Sequence, residues 1–317
     1  MDDKEIYKKT LTFSLRRLLW DVGSLALIII VTACGFFLAE KLAGQGLIGL
    51  AIGFVVATII VGVVSHFVSY IFKAGQIAMM TKGVTEGKLP EDVYGEGKKV
   101  VKERFLTVAA YYAVTRAITG IFNQIGRAIT ALGNAIGGDN GGTIGSIISS
   151  IIQTIVRYLC DCCLGWVFFQ KDESAFKATL QGAVLFFKNG KTLLKNLGRI
   201  FGISAISLIV VGGIFFGISY LCCMPFTNFF QGIANEIASD GEADQFLSTA
   251  AGVMTAFSAI IGVSMWGIIH STFVRPYILI GELRNYIEAG KNSELKDEDY
   301  EEVAKKSPKF KKLQQKA

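Results

Sequence analysis

The sequence predicts an all-α integral membrane protein: six transmembrane helices in three hairpins, amphipathic cytoplasmic segments, and both termini cytoplasmic. Three observations predict it. Mean hydropathy is +0.46. Only 18% of residues are charged, where a soluble domain carries about 25%. Apolar runs long enough to cross about 30 Å of hydrocarbon, at about 1.5 Å per helical residue, recur along the chain, and lysine and arginine collect in alternate connections between them.

The first span, at about 20–42, follows a start containing Lys4, Lys8, Lys9, Arg16 and Arg17. Val31-Thr32-Ala33-Cys34 has the form of a lipobox, but apolar residues continue through Leu38, so the segment reads as an uncleaved span. The second, 46–72, carries Gly49, Gly53 and Ala57 and then Ser65 and Ser69, a small-residue stripe that lets another helix approach closely. Spans three and four, 105–135 and 143–168, flank the GGDNGG turn at 137–142. Their polar stripes would equally suit helices lying in the membrane interface. Spans five and six, 200–224 and 250–280, are rich in glycine. Pro276 follows Arg275 near the inner end of span six, where it removes a helix hydrogen bond and can place a kink or hinge. Residues 1–285 thus form the transmembrane domain and 286–317 a charged cytoplasmic tail.

Cations set the orientation. The stretches 73–104 and 171–199 are lysine-rich, whereas 225–249 contains acidic residues and no lysine or arginine. The net charge of +6 then reflects an inner-face bias that meets anionic inner-leaflet lipid, not nucleic acid. The expected location is the cell membrane, in a homo-oligomer or a larger membrane complex.

The stripes on spans three and four are the candidate site. Tyr112, Arg116, Thr119, Asn123, Arg127, Thr130 and Asn134 share one helix face, and Ser146, Ser150, Gln153, Arg157 and Asp161 share another. A charge facing lipid at mid-depth costs at least about 2.5 kcal/mol, so such residues face a bundle interior or a hydrated cavity. Arg116, Asn123, Arg127, Gln153, Arg157 and Asp161 are therefore the expected solute pathway, with Arg157 and Asp161 spaced to pair along their helix. Arg116 and Arg157 against Asp161 leave a positive excess that favours anionic or zwitterionic solutes. A purely structural polar core is the competing reading.

Enzyme chemistry finds no support in the residues. His66 and His270 stand alone on apolar helices, no nucleophile elbow or phosphate loop occurs, and no metal or cofactor is expected. Cys160, Cys162 and Cys163 lack a second ligand pair and read as packing, with acylation of Cys162 or Cys163 as the alternative. An internal repeat shows in outline: EGKLPEDVYGEGKKVVKERF at 86–105 and EAGKNSELKDEDYEEVAKKSPKF at 288–310 share an acidic pair before Tyr94 or Tyr300 and then Lys-Lys.

Ser174-Ala175 and Ala178 before a hydrophobic helix, then Asn189, then Thr272 through Ile278-Leu279 to Glu282-Leu283-Arg284-Asn285, resemble the C-terminal part of choline transporter-like solute carriers. The resemblance covers residues 174–285 and implies transport of choline or a related amino alcohol. The positive excess on the stripes opposes a purely cationic solute, and no binding residue is carried over. Two functions follow as expectations. One is a transporter or channel for a small polar, anionic or zwitterionic solute. The other is a non-transporting subunit or scaffold whose segments 82–104 and 286–317 dock a soluble partner or anionic lipid.

Overall fold

The computed structural model describes the backbone of residues 1–106, 108–137, 141–193, 197–239 and 245–315. Side chains are described over the same ranges except at 47, 66, 67, 69, 108, 125–152, 191–193, 197–199, 236 and 239. Every regular element among them is helical. Two compact units form: Met1–Lys195 with Leu279–Ala317, and Asn196–Ile278.

In the first unit α1 (Asp3–Ala43) and α2 (Gly46–Glu86) make a long antiparallel hairpin. Asp2 caps α1 by accepting from the Glu5 amide at 2.7 Å. Gly44 ends α1 in the left-handed region, with φ of 65°, and its N–H bonds the carbonyls of Ala39 and Glu40. The small-residue stripe expected on span two is the seam of this hairpin. A Cβ on Gly49 would overlap the Gly35 carbonyl, and one on Gly53 would lie 2.9 Å from the Val31 oxygen.

The hairpin changes character along its length. Toward its turn, Leu19, Val22, Leu25, Ile30, Phe37, Ile52, Val55 and Ile59 are exposed, the surface an apolar solvent covers. Toward its open end, Ile6, Phe13, Ala74, Ile77, Met79 and Met80 are buried. That end of the hairpin meets α3 (Val93–Arg104), α4 (Val108–Gly137) and α5 (Gly141–Phe169), and the unit is completed by α6 (Ala175–Leu193), the second half of α11 (Arg275–Lys291), α12 (Asp297–Lys306) and α13 (Pro308–Gln314). α3 closes on α1 through Tyr94, whose ring lies 5.2 Å from Phe13 and under the Arg16 guanidinium at 4.0 Å. Phe122 meets Phe186 of α6, and the buried Tyr286 hydroxyl donates to the Gly182 carbonyl. Arg284 clamps the start of the chain by donating to Asp3 at 2.8 and 2.9 Å.

The second unit runs α7 (Leu197–Ser207), a π-helical turn over Leu208–Gly212, α8 (Gly213–Cys223), a 3₁₀ turn, α9 (Thr227–Ser239), α10 (Ala250–Ile269) and a second π turn over His270–Val274 before α11. Its two long apolar helices cross at glycines: a Cβ on Gly262 would sit 2.7 Å from the Gly212 oxygen. Ser207 accepts from the Trp266 indole at 2.9 Å, and Ser204 pairs with His270 at 3.0 Å.

Among the described residues, four stretches are long and apolar enough to span a bilayer: Asp3–Ala43, Ile48–Glu86, Ile200–Asn235 and Ala250–Lys291. A fifth is reached if Val93–Arg104 and Ala109–Gln124, bent by 82°, count as one broken span. Over its described residues the protein is therefore all-helical, with four or five helices of membrane-crossing character. The two segments whose stripes suited an interface as well as a span are α4 and α5, and their described apolar faces are built into the core of the first unit.

Candidate functional site

α4 sorts its residues by face. Tyr111, Val114, Ile118, Ile121 and Phe122 are buried, while Ala113, Arg116, Thr119 and Asn123 are exposed. The exposed face borders an open groove of about 710 Å3 lined by Tyr112, Arg116, Thr119, Gly120 and Asn123, with Lys309 of α13 on its far wall. At Gly120 a Cβ would lie 2.8 Å from Cδ of Lys309, a flexible side chain that can shift aside. α13 is held against α4 by Gln124, whose side-chain oxygen accepts from the Ser307 hydroxyl at 2.6 Å and the Lys309 amide at 3.2 Å. Phe310 anchors the same helix, fully buried.

The groove's electrostatics are one-sided. Arg116 and Lys309 both line it, and no carboxylate is among its lining residues. Among the described residues Arg116 makes no ion pair or side-chain hydrogen bond. Thr119 and Asn123 add neutral donors and acceptors. Two cations beside an amide, a hydroxyl and the Tyr112 ring make a surface for an anionic or zwitterionic group.

The other expected pathway residues fall elsewhere. Gln153 and Arg157 are exposed on α5. Asp161 is buried, and its carboxylate lies 2.7 Å from Nζ of Lys73 on α2. α2 supplies the cation that the sequence alone assigned to Arg157, because the C-terminal half of α5 packs against α2. The side chains of Arg127, Thr130, Asn134, Ser146, Ser150, His66 and Ser69 lie outside the described residues, as does part of the turn at 137–142. Pro276 lies just beyond the π turn at His270–Val274. Proline has no N–H to give the carbonyl one turn earlier, which lies within that widened turn.

Sequence reasoning missed Lys73, Gln124 and Lys309 as partners. Each read locally as part of a polar or basic stretch, and only tertiary packing gives it a role. Residues of the carrier resemblance take structural places. Ser174 accepts from the Lys177 amide at 3.1 Å at the start of α6, and Asn189 donates to Ser293 at 2.9 Å. All six cysteines are free, with Cys162 and Cys163 buried. Among the described residues no group of His, Cys, Asp and Glu is arranged to hold a metal ion. Beyond the span expected at 46–72, Lys82 of α2 donates to Glu96 of the charged helix α3 at 3.0 Å, a hydrogen bond that holds the Glu96 carboxyl below the usual carboxylate range. In comparison with family models, curated proteins and solved structures, the chain has no match.

Proposed function

We propose that this chain is a multi-pass membrane protein that moves a small anionic or zwitterionic solute, with the α4 groove as its capture site on the cytoplasmic side. The supporting observation is the convergence of Arg116 and Lys309 on one groove without a carboxylate in its lining. Arg116 takes the anionic group, Lys309 neutralises it from the opposite wall, and Asn123 and Thr119 fix its orientation. α4 and α5 form the middle hairpin of the six-span topology. The lysine-rich α3, α12 and α13 lie in the same unit as the chain's start, which supports cytoplasmic termini. Arg127, Gln153, Arg157 and Asp161 belong to later parts of the same path. The resemblance to choline transporter-like carriers supports an amino alcohol as one part of the solute.

Flux into reconstituted vesicles tests this reading. Arg116→Ala and Lys309→Ala each abolish saturable uptake while the protein still inserts and purifies. Undiminished flux in both variants refutes it. A second reading has its own support: Lys98, Lys99 and Lys102 on α3 and Lys311 and Lys312 on α13 are exposed. In that reading the protein is a scaffold that holds anionic lipid or a partner, so Lys311→Glu with Lys312→Glu releases it and no flux is seen.

A further inference from the structure

The two walls of the α4 groove are fixed to the protein unequally. α4 buries Tyr111, Val114, Ile118, Ile121 and Phe122, whereas α13 buries Phe310 alone among its described residues and leaves Lys309, Lys311 and Lys312 exposed. The polar part of α13's attachment converges on one atom. The side-chain oxygen of Gln124 accepts from the Ser307 hydroxyl at 2.6 Å and from the Lys309 amide at 3.2 Å, and Ser307 in turn accepts from the Phe310 amide at 3.2 Å. That chain sets the first turn of α13 against α4, and with it the place from which the Lys309 side chain enters the groove.

An element held by one buried side chain and a few hydrogen bonds opens at lower free energy than the core behind it, and lids are drawn from such elements. An anion in the groove meets Arg116 from the fixed wall and Lys309 from the weakly held one. It gains the second cation only while α13 is docked. Whatever binds the docked form more tightly also holds it docked, by the same factor, because the coupling between the two equilibria is reciprocal. For one charge-assisted contact from an exposed ammonium that factor is about 10.

We propose that α13 is a strap across the α4 groove that an anionic or zwitterionic occupant draws closed, with Lys309 as the coupling group. The proposal rests on reading that groove as an anion-capture site. Gln124 and Phe310 keep the strap within reach of the empty groove, and Lys309 converts occupancy into tighter docking. Release of α13 lowers the groove's affinity without moving α4.

Hydrogen exchange over 308–315 tests it, in the full chain in nanodiscs, with phosphocholine as the probe, choline as the control and calorimetry on the same samples to read binding. Saturating phosphocholine should raise protection over 308–315 about 10-fold and leave α1 and α2 unchanged, and choline should raise nothing. Lys309→Gln keeps the backbone amide at 309 and the Phe310 anchor, so its ligand-free protection should stay within about twofold of the parent's. It should bind phosphocholine about 10-fold more weakly and show no rise in protection when resaturated. Phosphocholine binding that Arg116→Ala removes, with no change over 308–315, overturns the strap and leaves the capture site standing. No phosphocholine binding by the parent protein overturns both. A rise that survives Lys309→Gln, or that extends equally over α6, overturns the strap by assigning the change to overall stabilisation.

Discussion

Replacing Phe310 by alanine tests how the groove is built. Phe310 is fully buried and is the one described residue of α13 in the core. A phenylalanine buries about 150–250 Å2, and at about 25 cal/mol per Å2 that is worth roughly 4–6 kcal/mol as an upper bound. Alanine retains part of it, so the expected loss is about 3–5 kcal/mol, in line with measured core Phe→Ala changes. What else holds α13 is the pair of hydrogen bonds to Gln124, at 2.6 and 3.2 Å, together worth about 1–3 kcal/mol. The loss falls on the docking of a terminal helix, a unit that opens without unfolding the whole chain. Hydrogen exchange over 308–315 reads it directly. At about 1.4 kcal/mol per factor of ten, protection should fall by about 10² to 4 × 10³, with α1 and α2 unaffected. Lys311→Ala, at an exposed position on the same helix, should change exchange less than twofold. Protection that survives Phe310→Ala within a factor of ten would show that α13 is held by something else and that the far wall of the groove is wrongly explained.

Further outcomes follow from the packing and from the charges. Gly49→Ala places a methyl group against the Gly35 carbonyl and parts the α1–α2 hairpin. It should cost about 1–3 kcal/mol and lower the midpoint of detergent-induced unfolding, whereas Gly62→Ala, with open space around it, should not. Glu96 has a lowered pKa in the folded protein, so its pairing with Lys82 contributes stability above the ordinary glutamate pKa of about 4.3. That contribution is lost as pH falls through the lowered folded value. Glu96→Gln should flatten the acid limb of the stability profile in that window and leave the profile above pH 7 parallel to that of the parent. Asp161→Leu removes the carboxylate facing Lys73 and should leave the exposed end of that lysine solvated, so it should destabilise less than Lys73→Leu, which leaves the charge on a buried carboxylate.

Several of these features were legible in the chain. The apolar runs gave the long helices of both units, and the Gly49–Gly53 stripe marked the seam of the first hairpin, although not its partner Gly35. The α4 stripe was legible as a face because Tyr112, Arg116, Thr119 and Asn123 obey helical spacing. Its surroundings were not, since Lys309 comes from the far end of the chain and reads there as one lysine in a basic tail. Asp161 was assigned to Arg157 because helical spacing predicts contacts within a helix, whereas the cation beside it comes from α2. The core of the first unit was the least legible part. α3, α12 and α13 are short and charged, with one buried position per turn such as Val101, Val303 or Phe310, a pattern that also fits a solvated loop.

Uptake of phosphocholine against choline by proteoliposomes tests the central claim most directly, because the two differ by the anionic group that Arg116 and Lys309 are held to bind. The account predicts saturable uptake of phosphocholine that Arg116→Gln and Lys309→Gln each abolish, with little uptake of choline. Choline uptake that ignores both substitutions, with none of phosphocholine, would contradict it.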